Sequence, residues 1–245
     1  MLGSPQPVNT VFQGRGHNTD FAGFATCGID FKDKDVLILG AGGTARMMME
    51  ACLNAGAKSL AVCARKTFQH SDNRVRVLPW GDWPHSFHIL LNATSLGMWP
   101  RAWEDPGRIG LRPVPDSDKT GETPVLPVVF DAIYNPTPTR LVLNARKHGC
   151  RAIGGLHMLV RQAIEAQKIW NPETVFDTGV IEAAILPEVS RELPRHSPVH
   201  FLITGFMGAG KSTVAKMLAA ELGVACVDLD QEIESHTGQI GRAHV

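Results

Sequence analysis

The stretch that most constrains the fold is a glycine-rich turn between an apolar run and a helical pattern. Val36–Leu39 is an uninterrupted apolar run of the length that a buried parallel strand requires. The chain continues as Gly40-Ala41-Gly42-Gly43-Thr44-Ala45, a G-x-G-x-x-A pattern, and then as a helical segment from Ala45 to Asn54. Strand, glycine turn and helix in this order are typical of a dinucleotide-binding fingerprint.

The small residues of this turn have separate predicted tasks. Gly40 permits the tight turn, Gly42 lets the backbone approach a pyrophosphate, and Ala45 lets the helix lie close to the strand. The free N–H groups at the helix N-terminus then face the diphosphate. The predicted cofactor-binding residues of the turn are Gly40, Ala41, Gly42, Gly43, Thr44 and Ala45.

The end of the next predicted strand distinguishes between the two nicotinamide cofactors. This strand, Ser59–Ala64, is followed by Arg65, Lys66 and Thr67. An NAD site usually places an Asp or Glu here for the ribose 2′-hydroxyl, whereas an Arg suits a 2′-phosphate. The sequence therefore favours NADP, with Arg65 as the phosphate ligand. The alternative is that Arg65 and Lys66 belong to an ordinary solvated loop.

The composition excludes some classes of partner. The 245 residues carry 24 basic and 24 acidic side chains, so charge alone suggests neither a nucleic-acid nor a membrane partner. Five scattered cysteines without a C-x-x-C pair predict small core residues in a reducing compartment. We expect a soluble cytoplasmic protein that acts on small molecules, and the sequence leaves its oligomeric state open.

Two short motifs before the glycine turn resemble the shikimate dehydrogenase family. They are Val8-Asn9-Thr10 and Gly16-His17-Asn18-Thr19-Asp20. In that family the Asn of the first motif and the Asp of the second bind substrate, and the Asp pairs with a catalytic Lys. The resemblance implies that Asn9 and Asp20 bind substrate and that Asp20 is catalytic. From the residues alone, Asn18-Thr19-Asp20 is typical of a helix N-cap.

Three later motifs extend the same resemblance. They are Asn92-Ala93-Thr94-Ser95-x-Gly97-Met98, Tyr134-Asn135-Pro136-x-x-Thr139 and Gly155-Leu156-x-Met158-Leu159-Val160-x-Gln162. The resemblance implies that Asn92, Thr94 and Ser95 contact the cofactor. It also implies that Ala132 and Gly155 lie near the nicotinamide, and that Tyr134 and Gln162 bind substrate. The alternative for Tyr134 is a packed aromatic ring with a solvated hydroxyl.

A second nucleotide motif follows a predicted strand at His200–Thr204. It is a P-loop, whose backbone N–H groups can cradle phosphates. Lys211 can reach the β- and γ-phosphates, and Ser212 can ligate Mg²⁺. The predicted ATP-binding residues are Gly208, Ala209, Gly210, Lys211, Ser212 and Thr213.

The P-loop and the acidic strand end that follows it resemble shikimate kinase. Asp228-Leu229-Asp230 lies at the spacing from the loop that this family shows. The resemblance implies that Asp228 and Ser212 assist Mg²⁺ and that Asp230 holds shikimate. The alternative for Asp230 is a helix cap.

Together these features predict an α/β chain, with a Rossmann-type doubly wound parallel sheet followed by a truncated P-loop kinase fragment. The final six residues, Ile240–Val245, depart from the kinase pattern at Gly241 and match what a sequencing adapter encodes in one reading frame. The predicted divisions are 1–34, a substrate-domain remnant with a connecting helix; 35–185, the NADP-binding domain; 186–198, a proline-containing linker; 199–240, a partial shikimate kinase domain; and 241–245, a non-native tail.

The resemblance implies a fragment of a bifunctional shikimate-pathway enzyme. Such an enzyme reduces 3-dehydroshikimate with NADPH and phosphorylates shikimate with ATP and Mg²⁺. The family's catalytic Lys belongs to a substrate domain that precedes the Val8 motif, so we expect this chain by itself to be inactive. The alternatives are a quinate/shikimate dehydrogenase that uses NAD, and a dinucleotide-binding module without catalysis.

Overall fold

The chain forms two compact units, Met1–Val199 and His200–Val245. The computed structural model describes residues 8–107, 109–115, 124–196, 203–204, 206, 208–222, 226–228 and 231. The strands are β1 (Thr10–Phe12), β2 (Arg15–His17), β3 (Asp35–Leu39), β4 (Ser59–Ala64), β5 (Val75–Pro79), β6 (Ile89–Asn92), β7 (Val128–Asp131) and β8 (Ala152–Gly154). The helices are α1 (Thr19–Ala25), α2 (Gly43–Asn54), α3 (Arg140–Lys147), α4 (Leu156–Trp170), α5 (Thr178–His196) and α6 (Lys211–Leu222).

A six-stranded parallel sheet organises the first unit. Its strand order is β5-β4-β3-β6-β7-β8, and every neighbouring pair is parallel. The chain builds outward from β3 in one direction and then outward from β6 in the other. Ligands of such sheets bind beyond the carboxyl ends of the strands, at the point where the order reverses. The predicted α/β class and the Rossmann-type sheet are confirmed.

The central strand β3 shows why the apolar run has to be continuous. Val36 and Ile38 pack on one face of the sheet, in a cluster that includes Met48 of α2. Leu37 and Leu39 pack on the opposite face, in a cluster with residues of α3. Because helices cover both faces, successive residues of the strand are all buried, and a polar residue at any of them would lose its water.

The residues that precede the sheet pack into the same unit. β1 and β2 form an antiparallel pair, and α1 lies against α4. An added Cβ on Gly23 would come within 2.8 Å of the Met158 carbonyl oxygen, so the two helices can approach this closely because Gly23 has no side chain. Phe24 packs in the adjacent core and lies edge-on to the Phe130 ring, with the two ring centroids 5.2 Å apart.

The predicted linker at 186–198 differs from the structure, because residues as far as His196 continue α5. Ile181, Leu186 and Val189 are half-buried at helical spacing. The buried Glu182 forms ion pairs from α5 to α4, where its partners are His157 and Arg161. The half-buried apolar residues and the ion pairs of Glu182 attach α5 to the first unit, although the prolines of this segment had suggested a linker.

The cysteines are unequal in exposure. Cys52, Cys63 and Cys150 are buried, Cys27 is half-buried, and Cys226 is exposed. Burial raises the pKa of the Cys52 thiol to about 12. Burial, with a smaller effect of Asp82, raises that of Cys63 to about 11. The prediction of core cysteines is therefore confirmed for the three buried ones and wrong for Cys226.

The second unit is described mainly around α6. The strand predicted at His200–Thr204 lies mostly outside the described residues, which include 203–204 of it, and the tail at 241–245 lies wholly outside them. Asp230 also lies outside them. Within the described part of the chain, no helix has both the length and the apolar character needed to cross a membrane.

Candidate active site

The glycine turn after β3 has the shape that the sequence predicts. Gly40 has φ +103°, and an added Cβ would lie 2.9 Å from the Ala93 carbonyl oxygen, so both the backbone angle and the space favour glycine. An added Cβ on Gly42 would meet nothing within 4 Å. Gly42 is also the N-cap of α2 and offers it no side-chain hydrogen bond. The space beside Gly42 at the start of α2 is therefore open, as an anion site at a helix N-terminus requires.

A basic cavity of about 1570 Å³ lies between this turn and the end of β4. We define it by Gly42, Arg46, Arg65 and Lys66, which all contribute to its lining. Glu50 and Asp72 also line it. The Asp72 carboxylate lies 2.7 Å from the Arg74 guanidinium, which lowers the pKa of Asp72 to about 2.

A second, aromatic cavity of about 480 Å³ lies on the other side of the turn that follows β6. We define it by Met98, Trp99, Ala132 and Tyr134, and Thr44 of α2 also lines it. The two cavities share the segment 93–95, which contains the predicted cofactor residues Thr94 and Ser95. Together they border the carboxyl edge of the sheet on both sides of the switch point.

Gly155 supports the aromatic cavity from behind. Its N–H donates to the Ile133 carbonyl oxygen at 3.1 Å. An added Cβ would overlap the Ala132 carbonyl oxygen, so the start of α4 presses directly on the loop after β7. Gly155 therefore holds the backbone of residues Ala132 and Ile133, and both of these residues line the aromatic cavity.

Asn92 and Asp131 form a fully buried polar pair beneath the two cavities. The Asn92 amide donates to Asp131 Oδ1 at 2.9 Å, and Asn92 Oδ1 accepts from the Thr94 hydroxyl at 2.7 Å and the Thr94 N–H at 3.1 Å. The side chain of Asn92, which was predicted to contact the cofactor, thus forms its hydrogen bonds with Asp131 and Thr94. It contributes to the site through the turn that it holds.

Asp131 was not predicted from the sequence, and it ties three elements together. It accepts from the Ile133 N–H at 3.1 Å and from the Thr139 hydroxyl at 2.6 Å, and Thr139 is the N-cap of α3. Burial raises the pKa of Asp131 to about 6, against the opposing effect of these hydrogen bonds. Its signal in the sequence is a carboxylate at the end of an otherwise apolar strand.

Three of the four predicted substrate residues of the first unit come together at α1 and α4. Asn9 Oδ1 accepts from the Thr19 N–H at 3.0 Å, and the Thr19 hydroxyl lies 3.1 Å from Gln162 Oε1. Asp20 follows Thr19, and its burial raises its pKa while a hydrogen bond with Asn9 lowers it. The fourth residue, Tyr134, lies in the aromatic cavity and is 41% exposed.

The P-loop of the second unit contains two glycines in the left-handed region. Gly208 and Gly210 both have φ +77°, and α6 begins at Lys211. The Lys211 ammonium donates to the Phe206 carbonyl oxygen at 2.9 Å across the loop. Ser212 is exposed in the first turn of α6, and Asp228 is exposed. The described residues contain no group of three His, Cys, Asp or Glu that could hold a metal ion, so a magnesium site stays a prediction.

Known proteins are similar to this chain over most of its length. The chain is 34% identical over 190 residues to the shikimate dehydrogenase (NADP(+)) of Caldicellulosiruptor saccharolyticus, covering 72% of this chain and 63% of that protein. It is 34% identical over 195 residues to the same enzyme of Archaeoglobus fulgidus, covering 73% of this chain and 67% of that protein. The chain belongs to the shikimate dehydrogenase family.

The solved shikimate dehydrogenase of Thermotoga maritima is also similar in fold. The TM-score is 0.56 at 32% identity, covering 74% of this chain and 67% of that one. Residues 207–243 match the family model described as Shikimate kinase. A shikimate dehydrogenase segment is therefore followed by a segment similar to shikimate kinase. The chain spans less than two thirds of the length of the first curated relatives, 63% and 65%.

Proposed function

We propose that the first unit binds NADPH and forms the cofactor side of a site where 3-dehydroshikimate is reduced to shikimate. The observation that carries the proposal is the basic cavity, because Arg65, Lys66 and Gly42 all line it and the space beside Gly42 is open. Its basic side chains fit a phosphate at one end, and the bare helix N-terminus fits a diphosphate. The similar proteins of Caldicellulosiruptor saccharolyticus and Archaeoglobus fulgidus are NADP(+) shikimate dehydrogenases, which supports the same choice of cofactor.

We propose that different residues of the chain bind different parts of the cofactor. Arg65 binds the 2′-phosphate through its fork of donors, and the N–H groups after Gly42 bind the diphosphate. Thr94 and Ser95 contact the cofactor where the cavities meet, and the cofactor, when bound, supplies the hydride. Ala132 lies beside the nicotinamide, on the loop that Gly155 holds.

The Asn9, Asp20 and Gln162 cluster is proposed to bind the hydroxyl groups of the substrate, with Tyr134 contributing from the aromatic cavity. Amide oxygens and a carboxyl are suitable partners for a polyhydroxylated ring. Because burial raises the pKa of Asp20, its carboxyl keeps a proton more readily than an exposed one does. Asp20 is therefore suited to hold or pass a proton next to the reacting ketone.

For the second unit we propose binding of ATP with Mg²⁺, and phosphoryl transfer to shikimate in the intact protein. The support is the P-loop geometry at 208–213 and the match to the shikimate kinase family model. Lys211 and the loop N–H groups bind the phosphates, and Ser212 with Asp228 assists the metal ion. Asp230 is the proposed shikimate ligand and lies outside the described residues.

The cofactor proposal is tested by measuring NADPH and NADH affinities by calorimetry on the chain and its variants. The unmutated chain should prefer NADPH, and Arg65→Ala should remove about 1.5–3 kcal/mol of that preference, because a charge-assisted contact is lost. Arg76→Ala is the matched control, since Arg76 is an exposed residue of β5 outside the basic cavity lining. Equal affinity of the unmutated chain for both cofactors would contradict the proposal.

Each of the two alternatives has a test of its own. Tighter binding of NADH would favour the quinate/shikimate dehydrogenase that uses NAD. The non-catalytic module is addressed by adding shikimate to the NADP⁺ complex. Formation of a ternary complex that Gln162→Ala weakens would oppose the module interpretation, because a pure dinucleotide module has no reason to bind shikimate through that side chain.

A further inference from the structure

We infer that Trp99 forms an aromatic wall for the nicotinamide end of the dinucleotide and so determines how tightly the complete cofactor is held. This inference rests on the proposed NADPH binding and concerns a residue outside the predicted site. Trp99 lines the aromatic cavity, and the residue is 42% exposed. An indole with this much exposed apolar area is a ready surface for a flat ring.

Backbone hydrogen bonds fix Trp99 at the edge of the cavity. The Trp99 N–H donates to the Asn135 carbonyl oxygen at 3.0 Å, which joins the loop after β6 to the loop after β7. The preceding residue, Met98, donates its N–H to the Ser95 carbonyl oxygen at 3.2 Å. The position of Trp99 therefore depends on the two loops that form the site, and Ser95 links it to the segment shared by both cavities.

The positions of the two cavities indicate which part of the ligand Trp99 meets. The basic cavity, with Arg65, lies on one side of segment 93–95 and suits phosphate groups. The aromatic cavity lies on the other side, and Met98, Trp99 and Tyr134 give it a largely apolar lining. A dinucleotide whose 2′-phosphate is at Arg65 and whose diphosphate is at Gly42 has its second base at the aromatic side. Nicotinamide is planar and stacks on aromatic side chains.

The test compares a complete and an incomplete ligand on the same variants. NADPH contains the nicotinamide, whereas adenosine 2′,5′-bisphosphate contains only the adenosine end with its 2′-phosphate. Trp99→Ala should weaken NADPH binding about three- to tenfold, in keeping with the loss of one aromatic contact, and should leave binding of the bisphosphate unchanged. Trp99→Phe should retain most of the NADPH affinity, because it keeps an aromatic face.

Trp103→Ala is the matched control. Trp103 lies in the same loop, is 66% exposed and is outside the lining of both described cavities, so its removal should alter neither affinity. Equal weakening of both ligands by Trp99→Ala would overturn the inference, since it would mean that Trp99 supports the shared turn. Unchanged NADPH affinity would overturn the inference and leave the proposed function standing. If the unmutated chain binds neither ligand, the proposed function fails and the inference fails with it.

Discussion

The two predicted nucleotide-binding loops of this chain have similar glycine backbone angles, but the helices that follow them differ in burial. Each contains glycines at positive φ, +103° at Gly40 and +77° at Gly208 and Gly210, and each is followed by a helix of 12 residues. The helix behind the first loop, α2, has six buried residues, namely Ala45, Met47, Met48, Met49, Ala51 and Cys52. The helix behind the second, α6, has Ala219 as its buried residue among those described.

The difference shows that the shape of a phosphate-binding loop does not depend on how deeply the following helix is buried. Glycines set the path of each loop locally, because they alone adopt these backbone angles without strain. Support depends on what the helix covers. Met48 of α2 is 0% exposed, whereas Met217 of α6 is 68% exposed. The two helix sequences are similar in apolar content, so this contrast comes from tertiary packing.

The sharpest test of the contrast truncates one methionine in each helix. Met48→Ala removes a completely buried side chain and should lower the free energy of unfolding of the first unit by about 2–5 kcal/mol. Met217→Ala, its matched control, should change stability by less than about 0.5 kcal/mol. Urea denaturation followed by circular dichroism measures both. Similar losses for the two variants would show that α6 is supported as α2 is.

A second test concerns the buried carboxyl that supports the first loop region. Asp131 has a pKa of about 6 in the folded state, above its ordinary value of 3.8. The folded state therefore holds this proton more tightly, so the stabilising contribution is complete below about pH 4 and is lost as the pH rises through 6.

Asp131→Asn isolates this effect, because the amide stays neutral at every pH. The unfolding free energy of the parent minus that of the variant should fall by about 2–3 kcal/mol between pH 4 and pH 7. Urea titrations at several pH values give this difference. A flat difference curve would mean that the hydrogen bonds from Asn92, Ile133 and Thr139 keep Asp131 ionised throughout.

The smallest expected effect separates binding from stability within the first loop. Gly42→Ala places a methyl group where nothing lies within 4 Å, so stability should change by less than about 1 kcal/mol. NADPH affinity should fall about tenfold, because the methyl group obstructs the approach of the diphosphate to the helix N-terminus. Gly179→Ala, at the start of α5, is the control and should leave the affinity unchanged.

Much of the fold followed from local pattern, and the missing parts were those fixed at long range. The β3 strand and the glycine turn were predicted because their residues permit few other structures. The short strands β5 and β8 were not predicted. β5 contains an exposed Arg76 and ends at Pro79, and β8 has three residues, so their strand character depends on pairing with β4 and β7.

The site shows the same division. The loop glycines and Arg65 were predicted from the sequence, and Gly40, Gly42 and Arg65 all line the basic cavity. The roles of Asn92 and Asp131 were not evident, because these two residues are 39 positions apart and their hydrogen bond depends on β6 lying beside β7. The prolines after Leu186 suggested a linker, whereas the apolar spacing and the ion pairs of Glu182 accompany a helix.

Because the cysteines differ in burial, their thiols should react with an alkylating reagent at different rates. Thiolates react with alkylating reagents and thiols do not, so the raised pKa values of Cys52 and Cys63 protect them twice, by enclosure and by protonation. Cys226 is open to the same reagents. A dye added to the folded protein would therefore mark the second unit first, and later labelling at Cys52 and Cys63 would time how often the sheet of the first unit opens.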